Sequence, residues 1–327
     1  GTNEFHGTLF EFNQNDLFSA RNAFALKKNR IRYNQFGGTL GGPIVRNKTF
    51  FFGSYQQTVI GNDVVFNQYV VTPEMKAGDF SALSTPIINP YTHTPFSGNI
   101  IPQSMINNAS KYFLDYFTTP NSPGQYFKAL AKAPNITHEY VGRIDHQITP
   151  AQHIFARFAY IREPITVIGY RPSVQSSNTT TEPSLGGSYT WTISPKTLLT
   201  LTGGFMRDAF TYNNPALGKQ NDSELAGIQG IPSAGREAWI GPPAVGVSGY
   251  QAFSFGGGGY GGPGSQSGGM YNGKAAISQV SGSHLLEAGG EYLNRTAYGN
   301  HGSAAPNGSF GFYNLYTGNG FADYLLG

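Results

Sequence analysis

Strand-like runs in this chain are joined alternately by tight turns and by long excursions, in strict order. The tight links fall at residues 45–48, 149–152, 194–196 and 281–283, and the long polar or Gly-rich excursions follow Asn13, Ile60, Glu163, Asn213 and Tyr298. Hairpin turns at one end of a sheet and long loops at the other are typical of a transmembrane β-barrel of the outer-membrane type. A soluble β-sandwich has no reason to keep its long connections at one end. The ordering therefore predicts part of an all-β, antiparallel transmembrane barrel.

The composition agrees with a sheet in which only alternate side chains face lipid. Charged residues make up 12% of the 327 residues, about half the share of an ordinary soluble domain, while aromatic residues reach 14%. The mean hydropathy is nonetheless only −0.29, and no stretch approaches the roughly 20 apolar residues of a spanning helix. Low charge without high hydropathy fits a barrel, because the other side chains face a wet lumen.

Several classes of site are excluded or disfavoured by residue content. The chain has no cysteine, so it has neither a disulfide framework nor a thiolate metal site. The net charge of +3 is small and dispersed, which argues against nucleic acid as a partner. The one basic run, residues 27–32, is interpreted as a solvated loop.

Individual strands sort their side chains by type. In residues 186–194, Tyr189, Trp191 and Ile193 alternate with serines and threonines, and the segments near 139–147, 198–208 and 286–295 alternate likewise. Charges lie on the face opposite the apolar and small residues, as they must if that face meets lipid, where a Lys or Arg costs roughly 2–4 kcal/mol at the midplane. About ten strands are expected. The charges predicted to face the lumen are Glu139, Arg143, Asp145, Glu287, Glu291 and Arg295.

Two excursions are long enough to have structure of their own. If the first strand runs outward, every tight turn is periplasmic and every long loop is extracellular. Residues 61–136 then form a long extracellular loop, in which apolar residues recur at helical spacing over 105–117 and predict a short amphipathic helix. Residues 214–268 form a second extracellular loop, whose Gly-rich run at 256–264 is typical of a surface segment.

Motifs that could support chemistry fail their context tests. The Gly-rich run lacks the Gly-Lys-Ser/Thr ending of a phosphate loop. Of the residues near position 140, Glu139 and Asp145 point to one side of a strand and His138 and His146 to the other, so shared metal ligation is disfavoured. No nucleophile elbow, zincin helix or spaced carboxylate pair is present. We therefore expect no enzymatic activity, no metal site and no cofactor.

The chain begins at Gly1, close to its first strand, and ends on the apolar run at 324–327. These ends predict that it is an internal piece of a longer polypeptide. A partial barrel is expected to leave two open sheet edges, which favour aggregation when the piece is expressed alone.

A set of ordered motifs resembles TonB-dependent receptors, and most closely the Oar-like, Acidobacteria-type subgroup with an N-terminal carboxypeptidase-regulatory-like domain. The motifs are GTNEFHGTLFEF (1–12), RN (21–22), NQFGGTLGGPI (34–44), KTFFFGSY (48–55), AGDFS (77–81), NIIP (99–102), RIDH (143–146) and FADYLLG (321–327). The resemblance implies a barrel of about 22 strands around a plug, in the outer membrane of a Gram-negative-type bacterium. On this basis the chain is the first part of that barrel.

The resemblance also implies partners and a function. The partners would be outer-membrane lipid, the plug domain of the same full-length chain, and a TonB-type energy-coupling protein. The function would be active uptake of a scarce ligand such as a siderophore or an oligosaccharide. Loop aromatics that could stack on such a ligand, or simply pack the loops, are Tyr91, Phe96, Tyr112, Tyr250, Phe253 and Tyr260.

Two other functions remain open at this stage. An outer-membrane adhesin or structural barrel would use the long loops to bind a partner and would have no plug. A secreted carbohydrate-binding β-protein would be soluble without detergent and would have no lipid-facing band.

Overall fold

The computed structural model describes residues 1–20, 30, 32–172, 174–231, 237, 240–253, 264–299 and 307–327. Most of this chain is β-structure. Its strands are β1 His6–Asn15, β2 Arg32–Val45, β3 Thr49–Ile60, β4 Asp63–Tyr69, β5 Tyr126–Lys132, β6 Asn135–Thr149, β7 Gln152–Ile168, β8 Gln175–Ser194, β9 Thr197–Asn213, β10 Ala244–Val247, β11 Gly264–Ser281, β12 His284–Gly299 and β13 Ser309–Phe312.

Nine of these strands form one sheet in the order β1-β2-β3-β6-β7-β8-β9-β11-β12, and each neighbouring pair is antiparallel. The tight links join β2 to β3, β6 to β7, β8 to β9 and β11 to β12, so they all lie at one end of the sheet. The longer connections lie at the other end. The prediction of an antiparallel all-β sheet with one-sided turns is confirmed, with nine strands against about ten expected.

The strands are longer than a membrane requires. The four consecutive strands β6, β7, β8 and β9 contain 15, 17, 20 and 17 residues, whereas about 9–11 residues of tilted strand cross the hydrocarbon layer. The excursion expected after Glu163 is mostly strand, because β7 continues to Ile168 and β8 already begins at Gln175. Within the described residues, β1 and β12 are the sheet's edge strands and each has one unpaired side.

At the loop end, the long connections fold into a body with its own hydrophobic core. Strands β4 and β5 pair as an antiparallel hairpin, and β10 pairs in parallel with β13. The core is built from residues of several loops, and it includes Phe80, Phe113, Phe117, Phe253 and Phe321. The α-helices of this body are α1 Pro73–Lys76, α2 Asn108–Tyr112, α3 Asp222–Leu225 and α4 Gly320–Leu326.

The amphipathic helix predicted over 105–117 is broken into short pieces. Helix α2 covers five residues, and single 3₁₀ turns at Gln103–Met105 and Leu114–Tyr116 flank it. The helical spacing of apolar residues reflects the burial of Ile106, Phe113 and Phe117 in the loop core. In the second long loop, β11 begins at Gly264, before the expected boundary at 268.

Among the described residues, no helix is long and apolar enough to cross a membrane.

Candidate functional site

Residues that face one another across antiparallel strands share one face of the sheet, so the strand register assigns each side chain to a face. Arg143 on β6 lies opposite Arg157 on β7, and Arg157 lies opposite Gly186 on β8. The same rung continues through Gly204 on β9 to Asn272 on β11. We call the face that contains this rung the charged face.

The predicted lumen charges all lie on this charged face. Glu139 lies four residues before Arg143 on β6 and Asp145 lies two residues after it, so all three share one face of the strand. On β12, the register places Glu291 opposite Lys274, Arg295 opposite Met270 and Glu287 opposite Ser278. The three β12 residues are exposed on the edge strand. The structure therefore groups these charges on one face of the sheet. The assignment of this face to a barrel lumen stays a prediction.

Arg143 is held rigidly in place. Its Nε and Nη2 donate to the two carboxylate oxygens of Asp145, each at 2.7 Å. Its guanidinium lies 4.0 Å from the centre of the Phe155 ring, and His153 Nε2 lies 3.6 Å from Asp145 Oδ1. A bidentate pair that also stacks on an aromatic ring fixes both the position and the plane of the guanidinium.

The opposite face is apolar near the tight-turn end. It carries large apolar side chains that are about half exposed: Ile144, Phe158, Leu185, Leu201 and Ile277. On β6 to β9, this face carries no Asp, Glu, Lys or Arg between the tight turns and the level of Tyr140 and Tyr160. It is the surface that lipid would cover.

A row of tyrosines crosses this apolar face. Tyr55, Tyr140 and Tyr160 lie directly opposite one another on β3, β6 and β7, with ring centroids 5.0 and 6.2 Å apart. Beyond this row, towards the loops, the face becomes polar, and His138 Nδ1 lies 3.1 Å from the Tyr55 hydroxyl. Aromatic residues bordering an apolar band are the girdle that outer-membrane barrels place at the lipid–water interface.

The six loop aromatics occupy different environments. Phe253 and Phe96 are buried, 1% and 8% exposed, and Phe253 packs on Phe117 with ring centroids 5.2 Å apart. These two therefore pack the loop core. Tyr112 and Tyr250 are half-buried, Tyr91 is 76% exposed, and Tyr260 lies outside the described residues.

Tyr250 is stacked rather than free. Its ring lies 5.5 Å from that of Tyr69 at an interplanar angle of 25°, and its hydroxyl accepts from Asn319 Nδ2 at 3.0 Å. The Tyr69 ring also meets Tyr126 edge-on at 5.6 Å. Loop segments distant in sequence are thus joined by tyrosine contacts.

A buried carboxylate that sequence reasoning missed holds two loops together. Asp222 is 2% exposed, and its Oδ1 accepts from the hydroxyl of Tyr112 at 2.9 Å and from Gln220 Nε2 at 2.7 Å. The Tyr116 hydroxyl reaches the same oxygen at 3.3 Å. Burial raises the pKa of Tyr116, and the neighbouring Asp222 raises it further. Burial also raises the pKa of Tyr112, as does its hydrogen bond to Asp222.

The family model described as an outer membrane beta barrel domain matches residues 1–327 of this chain. The chain belongs to this family. The protein accordingly lies in the outer membrane. A secreted soluble β-protein is therefore no longer an alternative. No curated protein and no solved structure matches the chain.

Family membership agrees with the two faces and with the tyrosine row. In the described parts of the outer-membrane barrel, no three His, Asp or Glu side chains lie together as a possible metal site. Besides Asp222, the residue missed from the sequence is Arg157. The two-residue period of β7 places Arg157 on one face with Phe155 and Ala159. This signal is weak, because the apolar Phe155 and Ile161 share the face with the arginine, so polar and apolar side chains do not separate cleanly.

Proposed function

We propose that this chain is the first part of the barrel of a TonB-dependent active transporter in the outer membrane. The observation that supports transport best is the concentration of charges on one face of the sheet while the other face is apolar as far as the tyrosine row. Lined up around a barrel, the charged face would surround a hydrated path. The motif resemblance given above supports coupling to a TonB-type protein.

In this proposal each part of the chain has a task. The loop body, with its core around Phe253, captures a scarce ligand such as a siderophore or an oligosaccharide. The charged face, including Glu139, Arg143 and Asp145, lines the lumen around a plug domain of the same full-length chain. The barrel contacts outer-membrane lipid through its apolar face, acts by binding and release rather than by catalysis, and uses no cofactor and no nucleic acid.

Uptake measurements in the parent bacterium test this proposal. Labelled ferric siderophores and oligosaccharides are supplied to cells lacking the full-length chain, to cells lacking the TonB-type protein, and to cells treated with a protonophore. Uptake of at least one ligand should fall at least about tenfold in all three, since active transport needs receptor and coupling together. Loss of uptake only in the receptor deletion, with no effect of the protonophore, would contradict energy coupling.

An adhesin or structural barrel is the second candidate. The observation that favours it is the packing of loops from several connections around one core, since a folded loop body offers a stable recognition surface. This function predicts that cells lacking the chain lose attachment to a surface or partner cell while their ligand uptake is unchanged. Attachment assays on the same deletion strain separate the two functions.

A further inference from the structure

Arg143 and Arg157 place two positive charges side by side on neighbouring strands. They lie directly opposite in the β6–β7 register, where facing Cβ atoms are about 4.5–5.5 Å apart. Their rung is nearer the tight turns than the row of Tyr55, Tyr140 and Tyr160, so both arginines lie at the level of the apolar band. Ionisable side chains at membrane depth are costly and are commonly functional.

Only one of these arginines is neutralised within the described residues. Arg143 is paired to Asp145 by two hydrogen bonds of 2.7 Å. Arg157 is exposed and makes no ion pair in the described part of the chain. Lys274, another cation on this face, has Glu291 directly opposite. One guanidinium is therefore left with free donors.

Beside Arg157 the sheet leaves open space. The next two positions on its rung are Gly186 and Gly204, which face each other across β8 and β9. A groove of about 420 Å³ lies here, lined by both arginines and, on its far side, by Asn272 and Met270. A Cβ at Gly204 would lie 2.6 Å from Asn272 Oδ1, so any larger residue there would displace this amide and narrow the groove. Missing side chains thus give a small solute access to Arg157.

We propose that Arg157, beside the Arg143–Asp145 pair, forms a binding site for the anionic oxygens of a small solute, a carboxylate or a phosphate group. Arg157 supplies the charge and a planar set of donors that matches two oxygens. Arg143, whose charge Asp145 neutralises, forms a fixed wall of the groove, and Asn272 contributes an amide at the far wall. The site requires only that the charged face lines the barrel interior, and it holds whether the barrel transports or adheres.

Single-cysteine labelling tests the charge of this groove, because these 327 residues contain no cysteine and any cysteine elsewhere in the full-length protein is replaced by serine beforehand. Ser188→Cys lies on the same strand and face as Gly186, two residues from it. In the full-length protein in outer-membrane vesicles, its reaction rate is measured with a negatively charged and a positively charged methanethiosulfonate. The ratio of the two rates reports the local potential. We expect Arg157→Gln to lower this ratio about tenfold, since it removes one positive charge roughly 7–8 Å away.

Two controls keep the result specific. Arg162→Gln removes the same charge from the same strand but on the opposite face, and it should leave the ratio at Ser188→Cys unchanged. At Thr190→Cys, which is two residues further from Arg157 and opposite His153, Arg157→Gln should have a smaller effect, because solution ions screen charges beyond about 8–10 Å.

Protection by real anions tests binding. At constant ionic strength, succinate and inorganic phosphate are added separately to Ser188→Cys while labelling by the anionic reagent is followed. We expect saturable slowing of at least threefold by one or both, and loss of this slowing in Arg157→Gln. Slowing by succinate alone identifies a carboxylate site, and slowing by phosphate alone a phosphate site. The proposal is overturned if neither anion slows labelling. It is also overturned if Arg157→Gln leaves the rate ratio unchanged, since a carboxylate of the protein would then already cover the arginine.

Discussion

The hydroxyl of Tyr112 donates a hydrogen bond to the buried carboxylate of Asp222 at 2.9 Å. The two residues belong to different connections of the sheet, one between β3 and β6 and the other between β9 and β11. Together with Gln220 and Tyr116, this contact makes one carboxylate oxygen the meeting point of the two longest loops.

Replacing Asp222 should loosen the loop body without unfolding the sheet. Asp222→Ala removes the carboxylate oxygen that accepts from the hydroxyls of Tyr112 and Tyr116, and hydrogen bonds to a charged group contribute about 1.5–3 kcal/mol. Subtilisin cleavage of the loops in outer-membrane vesicles should become roughly ten- to a hundredfold faster, since 1.4 kcal/mol corresponds to a factor of ten. Lys219→Ala, an exposed change nearby, serves as the control. Equal cleavage rates in both variants would show that this carboxylate does not hold the loops.

The buried tyrosines of the loop body predict a loss of loop stability at alkaline pH. Burial raises the pKa of Tyr116 and of Tyr324 above the ordinary value of 10.0. A group whose pKa is raised by folding contributes stability that is fully present below its unfolded pKa and is lost as pH rises towards its folded pKa. We therefore expect subtilisin cleavage to accelerate above about pH 10, and Tyr116→Phe to make this acceleration weaker. A steeper pH dependence in Tyr116→Phe than in the natural chain would contradict this account.

Neighbouring positions on β9 should respond oppositely to a charge. Leu201 lies on the apolar face opposite Tyr189, and Thr200 lies on the charged face opposite Thr190. An arginine on the lipid face of a barrel costs about 2–4 kcal/mol near the midplane. Leu201→Arg should therefore lower the free energy of unfolding by about that amount in urea titrations of the full-length protein in lipid bilayers, while Thr200→Arg changes it far less. Equal losses in the two variants would mean that the faces are assigned wrongly.

Thiol accessibility tests whether the charges of β12 face water. Single cysteines at Glu291 and Tyr292 occupy opposite faces of one strand. In the intact outer membrane, Glu291→Cys should react with a membrane-impermeant polar thiol reagent and Tyr292→Cys should not. The reverse order of reactivity would place the charged face against lipid and would refute a hydrated lumen.

The sheet could be predicted from the sequence because its information is local. Alternation in segments such as 186–194 fixes which side chains share a face, and the tight links fix which strands are neighbours. The tyrosine row could not be predicted in the same way, since Tyr55, Tyr140 and Tyr160 come together only when the register of β3, β6 and β7 is known. The same holds for the rung that joins Arg143 to Arg157.

The loop body was less predictable for a related reason. Periodicity over 105–117 measured burial correctly, but it could not tell a continuous helix from short turns that bury the same side. Asp222 carries no local signal of its role, because its partner Tyr112 is distant in sequence. Phe96 and Phe253 looked like candidate ligand contacts for the same reason, since exposure is decided by packing between loops.

The length of the strands sets how far the loop body stands from the bilayer. Strand β7 continues from the interfacial Tyr160 to Ile168, and β8 returns from Gln175 to Pro183 at the same level. At about 3.3 Å per residue and a tilt near 40°, this hairpin rises roughly 20 Å above the level of the tyrosine row. A molecule arriving from the medium would therefore meet the protein at the top of a raised rim, before it reaches the lipid surface.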